Sequence, residues 1–232
     1  MARITRKELK SDKFAQEVGL TVDFFEEHRE ELVRYGGIAL AVALLAVGYM
    51  YDARHQHAVR QEALYKALEA AEAPVGAAQP GGGLSFATEQ AKDEQTVKLL
   101  TDLAGKYGGS AEGEIAEYFL GSVRADQGNL PEAEKHLLEA AQKGDEKYSS
   151  LAKFSLAQIY FEEGRGDQGE KILRDLIAHP TIFVSSDQAS IALARQIMPK
   201  NPAEAHKLLQ PLLSKPGGVG QVAGDLNSEM SQ

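Results

Sequence analysis

The residues of this sequence that could perform chemistry are six histidines, several neighbouring carboxylates and one Ser-Ser-Asp stretch. A metal site on a helix needs ligands that share a face, but His55 and His57 are two residues apart and point in different directions. Glu162 and Glu163 are adjacent, and adjacent side chains on a helix do not face each other. Ser185-Ser186-Asp187 has the pattern of a helix N-cap rather than of a nucleophile. The sequence therefore predicts no catalytic residue, no metal site and no cofactor.

A glycine-rich stretch is the other feature that could bind a ligand, in this case a phosphate. Residues 74–84 are rich in Pro, Gly and Ala and include three consecutive glycines, Gly81 to Gly83. A phosphate-binding loop follows a buried strand and continues into Lys and Ser or Thr, and this stretch has neither pattern. We interpret residues 74–84 as a flexible loop.

Composition excludes further classes of function. The chain has no cysteine, which excludes disulfides, thiolate metal ligands and cysteine nucleophiles. From Tyr35 onward, 18 Lys and Arg residues stand against 26 Asp and Glu residues. A net negative charge of this size argues against nucleic acid as a partner. Ala and Leu are abundant and Trp is absent, which favours packed helices.

Residues 35–51 are the segment around which the rest of the chain is organised. They contain no charged, amide or hydroxyl-aliphatic side chain, and tyrosines lie at both ends, Tyr35 on one side and Tyr49 and Tyr51 on the other. A helix of this length spans about 25 Å, close to the ~30 Å core of a bilayer. We predict a transmembrane helix that is retained as an anchor. A buried helix of a soluble core and a cleavable signal peptide are the alternatives.

The segment before this helix predicts its orientation. Residues 1–34 begin with a basic cluster, consisting of Arg3, Arg6, Lys7, Lys10 and Lys13. Lys and Arg are enriched in cytoplasmic flanks, so we expect a cytoplasmic N-terminus and an extracytoplasmic C-terminal domain. The apolar residues that follow recur every three or four positions, which predicts either an amphipathic helix on the lipid bilayer or a partner, or a solvated linker helix.

Residues 52–217 show an internal period of 36 residues. Leu137, Leu173 and Leu209 repeat at this spacing, and so do Ala133, Gly169 and Ala205. Leu120-Gly121, Leu156-Ala157 and Ala192-Leu193 precede them in the same register. The pattern predicts about four helical hairpins stacked as an α-solenoid, since one hairpin alone cannot bury its apolar face. Residues 53–73 are the expected first helix, and residues 218–232 a flexible tail or loose cap.

Two resemblances follow from these motifs. Leu120-Gly121 with Ala133, and Leu156-Ala157-Gln158-Ile159-Tyr160 with Gly164, resemble the tetratricopeptide repeat. The full layout, Phe24-Phe25 before the apolar span and hairpins after it, resembles the YfgM-type ancillary subunits of the bacterial Sec translocon. That resemblance implies a single-pass protein of the inner membrane with periplasmic repeats. The partners it implies are the translocon, a membrane-bound chaperone and secreted client proteins.

The tetratricopeptide resemblance also implies a binding surface. In such stacks the first helix of each hairpin lines the concave face. The residues carried over to this face are Ile115, Tyr118, Ser122, Ala125, Leu151, Phe154, Gln158, Phe161, Ser190, Ala194 and Ile197. Tyr118, Ser122, Leu151, Phe154, Gln158 and Phe161 are the predicted partner-binding residues. An apolar groove on this face and a permanently covered core are both consistent with the sequence.

These observations predict an all-α, non-enzymatic, membrane-anchored module for protein–protein interaction. The alternative is a structural spacer that assembles as a homo-oligomer in the cell envelope and binds no client. Removing residues 1–30 distinguishes the two hypotheses, because only the spacer depends on that segment.

Overall fold

The computed structural model describes residues 29–76 and 83–230 of the 232-residue chain. These ranges form nine α-helices and, apart from one isolated β-bridge, no strand, which confirms the predicted all-α class. The helices are α1 (Arg29–Glu72), α2 (Glu89–Tyr107), α3 (Ala111–Asp126), α4 (Leu130–Lys143), α5 (Glu146–Glu162), α6 (Gly166–Ala178), α7 (Ser186–Ile197), α8 (Pro202–Leu209) and α9 (Gly218–Glu229). The basic cluster and the expected amphipathic helix lie outside the described residues.

The chain divides into two units, Met1–Ala58 and Val59–Gln232. In the first unit, α1 contains the whole predicted span, and its large apolar side chains are exposed, as Leu45 is at 73%. Among the residues that the structure describes, α1 is the one helix long and apolar enough to cross a membrane. The predicted bounds of 35–51 are not helix ends, because α1 runs unbroken from Arg29 to Glu72.

The second unit is a stack of consecutive helices that begins with the C-terminal part of α1. Ala67 and Ala70 of α1 are fully buried, and Ala67 packs with Leu100 of α2 and Leu120 of α3. The later hairpins are α3 with α4, α5 with α6, and α7 with α8, and each helix packs on the next. Residues 59–72 thus supply the first helix of the stack, as expected for residues 53–73.

The 36-residue period corresponds to the buried interior of the stack. Leu137, Leu173 and Leu209 occupy equivalent places on the second helices and are at most 1% exposed. Close helix approach depends on the small residues of the same pattern. A Cβ added to Gly121 would lie 2.5 Å from Cγ of Leu137, so only glycine lets α3 and α4 reach this separation.

The turns between the helices of a hairpin also repeat. Gly128 and Gly164 end α3 and α5 with φ values of +73° and +75°, a conformation that favours glycine. At the start of the second helix, Asn129 accepts a hydrogen bond from the backbone of Glu132, and Asn201 accepts one from Glu204 at 3.2 Å. Asn caps are therefore formed in the α3–α4 and α7–α8 turns.

The cap at Asn201 gives a first stability prediction. Asn201→Ala removes the acceptor for Glu204 N–H and is expected to lower the free energy of unfolding by about 1 kcal/mol. Urea denaturation followed by circular dichroism measures the change. The neighbouring exposed residue serves as control, and Lys200→Ala should stay within about 0.5 kcal/mol of the parent chain. Equal losses in both variants would show that the cap contributes nothing.

The C-terminal end of the stack is closed by α9. Ala223 and Leu226 of α9 are buried against α7 and α8, and the side chains of His206 and Asn227 approach to 2.6 Å. Lys215 Nζ, in the segment before α9, contacts Asp187 of α7 at 2.6 Å. Most of the segment 218–232 is therefore a packed helix in the structure.

A parallel β-bridge between Val75 and Phe86 joins the two ends of the glycine-rich stretch. Gly76 N–H donates to the Phe86 carbonyl at 2.9 Å, and Phe86 N–H donates to the Pro74 carbonyl at 3.0 Å. Of the expected loop at 74–84, residues 77–82 lie outside the described ranges. The bridge fixes where the chain leaves α1 and where it returns towards α2.

Candidate partner-binding face

Helices α3, α5 and α7 are the first helices of three hairpins and carry the predicted partner-binding residues. Gln158 is exposed, whereas the other five predicted side chains are half-buried: Tyr118, Ser122, Leu151, Phe154 and Phe161. Of the remaining carried-over positions, Ile115 and Ala125 are half-buried, and Ser190, Ala194 and Ile197 are buried. The surface of α3, α5 and α7 around these residues is called the first-helix face below.

Phe161 has a packing role of its own. Its ring lies against Gly169 of α6, where an added Cβ would be 2.7 Å from the ring and 2.8 Å from the Ala157 carbonyl oxygen. Leu151 and Phe154 pack against the buried cluster that joins α6, α7, α8 and α9. These three side chains therefore help to hold the α5–α6 hairpin against the α7–α8 hairpin.

Ser122 and Tyr118 are linked within α3. The Ser122 hydroxyl donates to the Tyr118 carbonyl at 3.1 Å, one helical turn back. The Tyr118 ring packs against the buried cluster of α4 and α5, so it lies at the junction of the first two complete hairpins. Tyr118 thus connects the α3–α4 hairpin to the α5–α6 hairpin.

A row of aromatic rings extends from Tyr118 across the stack. The Tyr118 and Tyr148 ring centroids are 5.8 Å apart, and those of Tyr148 and Phe183 are 5.6 Å apart in an edge-to-face arrangement. Phe119 lies behind Tyr118 at 5.2 Å. We call Tyr118, Tyr148 and Phe183 the aromatic row. It links α3, α5 and the turn before α7, with one ring from each of these three elements.

The far end of the row is the most exposed part. Phe183 is 40% exposed, and the neighbouring Ile182 is 78% exposed. Their backbone is nevertheless anchored, because Thr181 Oγ1 accepts from Val184 N–H at 3.1 Å and lies 2.7 Å from Ser150 Oγ, and Val184 is fully buried. The turn therefore presents two apolar side chains to solvent from a fixed support.

Carboxylates lie near the middle ring of the row, Tyr148. Asp145 caps α5 by accepting from Tyr148 N–H at 3.0 Å. The electrostatic influence of Asp145 reaches both Tyr148 and Glu114. Burial, followed by Asp145, raises the pKa of the Glu114 carboxyl, and the same two causes raise the pKa of the Tyr148 hydroxyl. An acidic site therefore lies beside Tyr148.

One lysine lies among these acids. Lys143 contacts Glu139 at 2.5 Å, and Glu139, Glu117 and Glu114 together raise the pKa of its ammonium group. Glu117 also approaches His136 Nδ1 at 2.6 Å. We call Glu114, Glu117, Glu139 and Asp145 the acidic cluster. Its four carboxylates outnumber Lys143, whose side chain is 59% exposed.

Sequence reasoning placed Tyr118 on this face but missed Phe119, Tyr148, Ile182 and Phe183. Tyr148 and Phe183 are 35 residues apart, one short of the period, so their repetition was the available signal. Both lie at or before the start of a helix, where the helical pattern no longer defines a face. Among residues 29–76 and 83–230, no group of three His, Asp or Glu side chains could hold a metal ion.

Comparison with known proteins identifies one relationship. A family model described as a tetratricopeptide repeat-like domain matches residues 23–187. No curated protein and no solved structure matches the chain. The matched region begins before the described part of α1 and ends at the start of α7, and it contains every member of the aromatic row and of the acidic cluster.

Proposed function

Since the matched model covers more than half of its length, this chain belongs to the tetratricopeptide repeat-like domain family, and we propose on this basis that it is a membrane-anchored, non-enzymatic module that binds other polypeptides. The fold supports an interaction role, because stacked hairpins create an extended surface to which each repeat contributes side chains. The proposed binding surface is the first-helix face, with Tyr118, Ser122, Leu151, Phe154, Gln158 and Phe161, extended by Tyr148 and Phe183.

The aromatic row is the observation that carries this proposal. Three rings from three hairpins form a continuous strip that ends in the exposed Phe183 and Ile182. Aromatic side chains contribute large apolar area with little loss of rotamer freedom, and they are enriched where proteins bind one another. Because the row lies on backbone that is capped or buried, it is organised before any partner arrives.

The apolar helix supports a fixed place for this surface in the cell. With α1 spanning the bilayer through residues 35–51 and the basic N-terminus in the cytoplasm, the repeats would lie in the periplasm. Tethering raises the local concentration of the first-helix face beside the membrane, so weak binding is sufficient. The layout resembles ancillary translocon subunits, and we propose such a subunit, or a scaffold of the periplasmic chaperone network.

Site-specific crosslinking in intact cells tests the proposal. A photoreactive amino acid at position 183 or 158 should form adducts with polypeptides other than this chain, because both positions lie on the first-helix face. The same group at Gln221, an exposed position on α9, is the matched control and should give far fewer adducts. Equal labelling at all three positions, or adducts of the chain with itself only, would contradict the proposed function.

A further inference from the structure

We propose that the aromatic row selects polypeptide segments in which a Lys or Arg lies next to aromatic or aliphatic side chains. This inference rests on the proposed function and names the class of ligand for the same face. It is carried by two neighbouring features of opposite character, the aromatic row and the acidic cluster, which meet where Asp145 accepts a hydrogen bond from the backbone of Tyr148.

The aromatic row sets the length of the peptide segment that could bind. Successive ring separations of 5.8 and 5.6 Å mean that the three rings reach across roughly four residues of an extended peptide, at about 3.3 Å per residue. Phe183 and Ile182 are the exposed side chains at the outer end, whereas Tyr118 and Tyr148 are half-buried. A bound segment would place its apolar side chains over Tyr148 and Phe183.

The acidic cluster sets the charge of the segment. Asp145 accepts a hydrogen bond from Tyr148 N–H at 3.0 Å, so a carboxylate adjoins the second ring of the row, and the charge of Asp145 also helps to raise the pKa of Glu114. Glu114 forms no salt bridge within the described residues, and Lys143 is paired directly with Glu139 at 2.5 Å. A cation from a partner would pair with Glu114 and Asp145 without breaking an existing ion pair.

The other basic groups near the row leave this negative charge in place. Lys153 is paired with Asp175 at 3.5 Å, and Asp175 also contacts His179 Nδ1 at 3.0 Å. Lys147 is exposed and adjoins Tyr148 in sequence, so its charge opposes a basic ligand there. Four carboxylates of the acidic cluster outnumber Lys143 and Lys147 together. Charge complementarity therefore favours a cationic segment over an acidic one.

Peptide binding to the full-length chain in phosphatidylcholine nanodiscs tests the inference. The probe is a short fluorescent peptide of alternating Lys and Phe. One comparison peptide has Glu in place of Lys, and another has Ser in place of Phe. We expect the Lys-Phe peptide to bind about tenfold more tightly than either comparison peptide, and added salt to weaken it. Empty nanodiscs correct for adsorption to lipid.

Matched substitutions locate the binding. Asp145→Asn keeps a side chain that caps α5, and Glu114→Gln keeps the shape of the residue, so both remove charge with little change in folding. The double variant should bind the Lys-Phe peptide about tenfold more weakly, and Phe183→Ser should weaken the Lys-Phe and Glu-Phe peptides alike. Asp225→Asn on α9 removes one charge elsewhere and should change nothing. Circular dichroism confirms that each variant keeps its helix content.

Three results would overturn the inference. Equal binding of the Glu-Phe peptide would remove the selectivity for cations but leave polypeptide binding, and thus the proposed function, intact. Unchanged peptide binding in Phe183→Ser would place the ligand away from the aromatic row. A dimer that dissociates in Phe183→Ser, combined with no peptide binding, would show that a second copy of the chain occupies the row.

Discussion

Replacing Leu137 with alanine is expected to lower the free energy of unfolding of the helical stack by about 2–5 kcal/mol. Leu137 is completely buried on α4, where it packs with Leu156 of α5 and lies against Gly121 of α3. The truncation leaves a cavity that three helices line, and close packing prevents them from collapsing into it. Urea denaturation of the full-length chain in detergent, followed by circular dichroism, measures the loss.

A matched leucine gives the control for this prediction. Leu213 is 39% exposed, and Leu213→Ala should change the unfolding free energy by less than about 1 kcal/mol. The stacked arrangement also predicts which helices lose stability, because each hairpin is stabilised mainly by its neighbours. Hydrogen exchange should accelerate most in α3, α4 and α5 and least in α9. Uniform acceleration through all helices would argue that the unit does not behave as a stack of hairpins.

Gly169→Ala should lower the unfolding free energy by about 1–3 kcal/mol, although alanine is the better helix former. The new Cβ would lie 2.7 Å from the Phe161 ring and 2.8 Å from the Ala157 carbonyl oxygen. The ring could rotate away at some cost, but the carbonyl belongs to α5 and moves only with the helix. The substitution must therefore push α5 and α6 apart, and thermal or urea unfolding records the effect.

Gly105→Ala is the same chemical change, but it is expected to raise the unfolding free energy rather than lower it. Gly105 lies in α2 with no atom within 4 Å of an added Cβ. Alanine there should raise the unfolding free energy by about 0.5–1 kcal/mol, because it restricts the unfolded chain. If both variants gained stability, the close approach of α5 and α6 at Gly169 would not be a constraint on the fold.

The repeated leucines and small residues were sufficient to predict the stack. Leu137, Leu173 and Leu209 share a period because they share an environment, and all three are buried in it. Burial and helix spacing act on local sequence, so periodicity reveals them. The Asn caps at Asn129 and Asn201 are local features of the same kind, since a cap involves residues three positions apart.

The aromatic row could not be derived in the same way. Tyr148 meets Tyr118 across two helices, and Phe183 meets Tyr148 from a turn, so each contact depends on how the hairpins are rotated. Phe161 illustrates the same difficulty, because the 36-residue period identifies Gly169 but does not show which ring lies against it. The continuity of α1 past residue 51 was also hidden, because the charged residues after it suit both a helix and a boundary.

The bridge between Val75 and Phe86 has a consequence for how this chain can vary. Two backbone hydrogen bonds already hold together the ends of the stretch between α1 and α2. Each doubling of the length of the loop between such fixed ends costs only about 0.6 kcal/mol in closure entropy. This junction therefore offers a position where evolution or engineering can add an epitope, a protease site or a small domain while the first hairpin stays assembled.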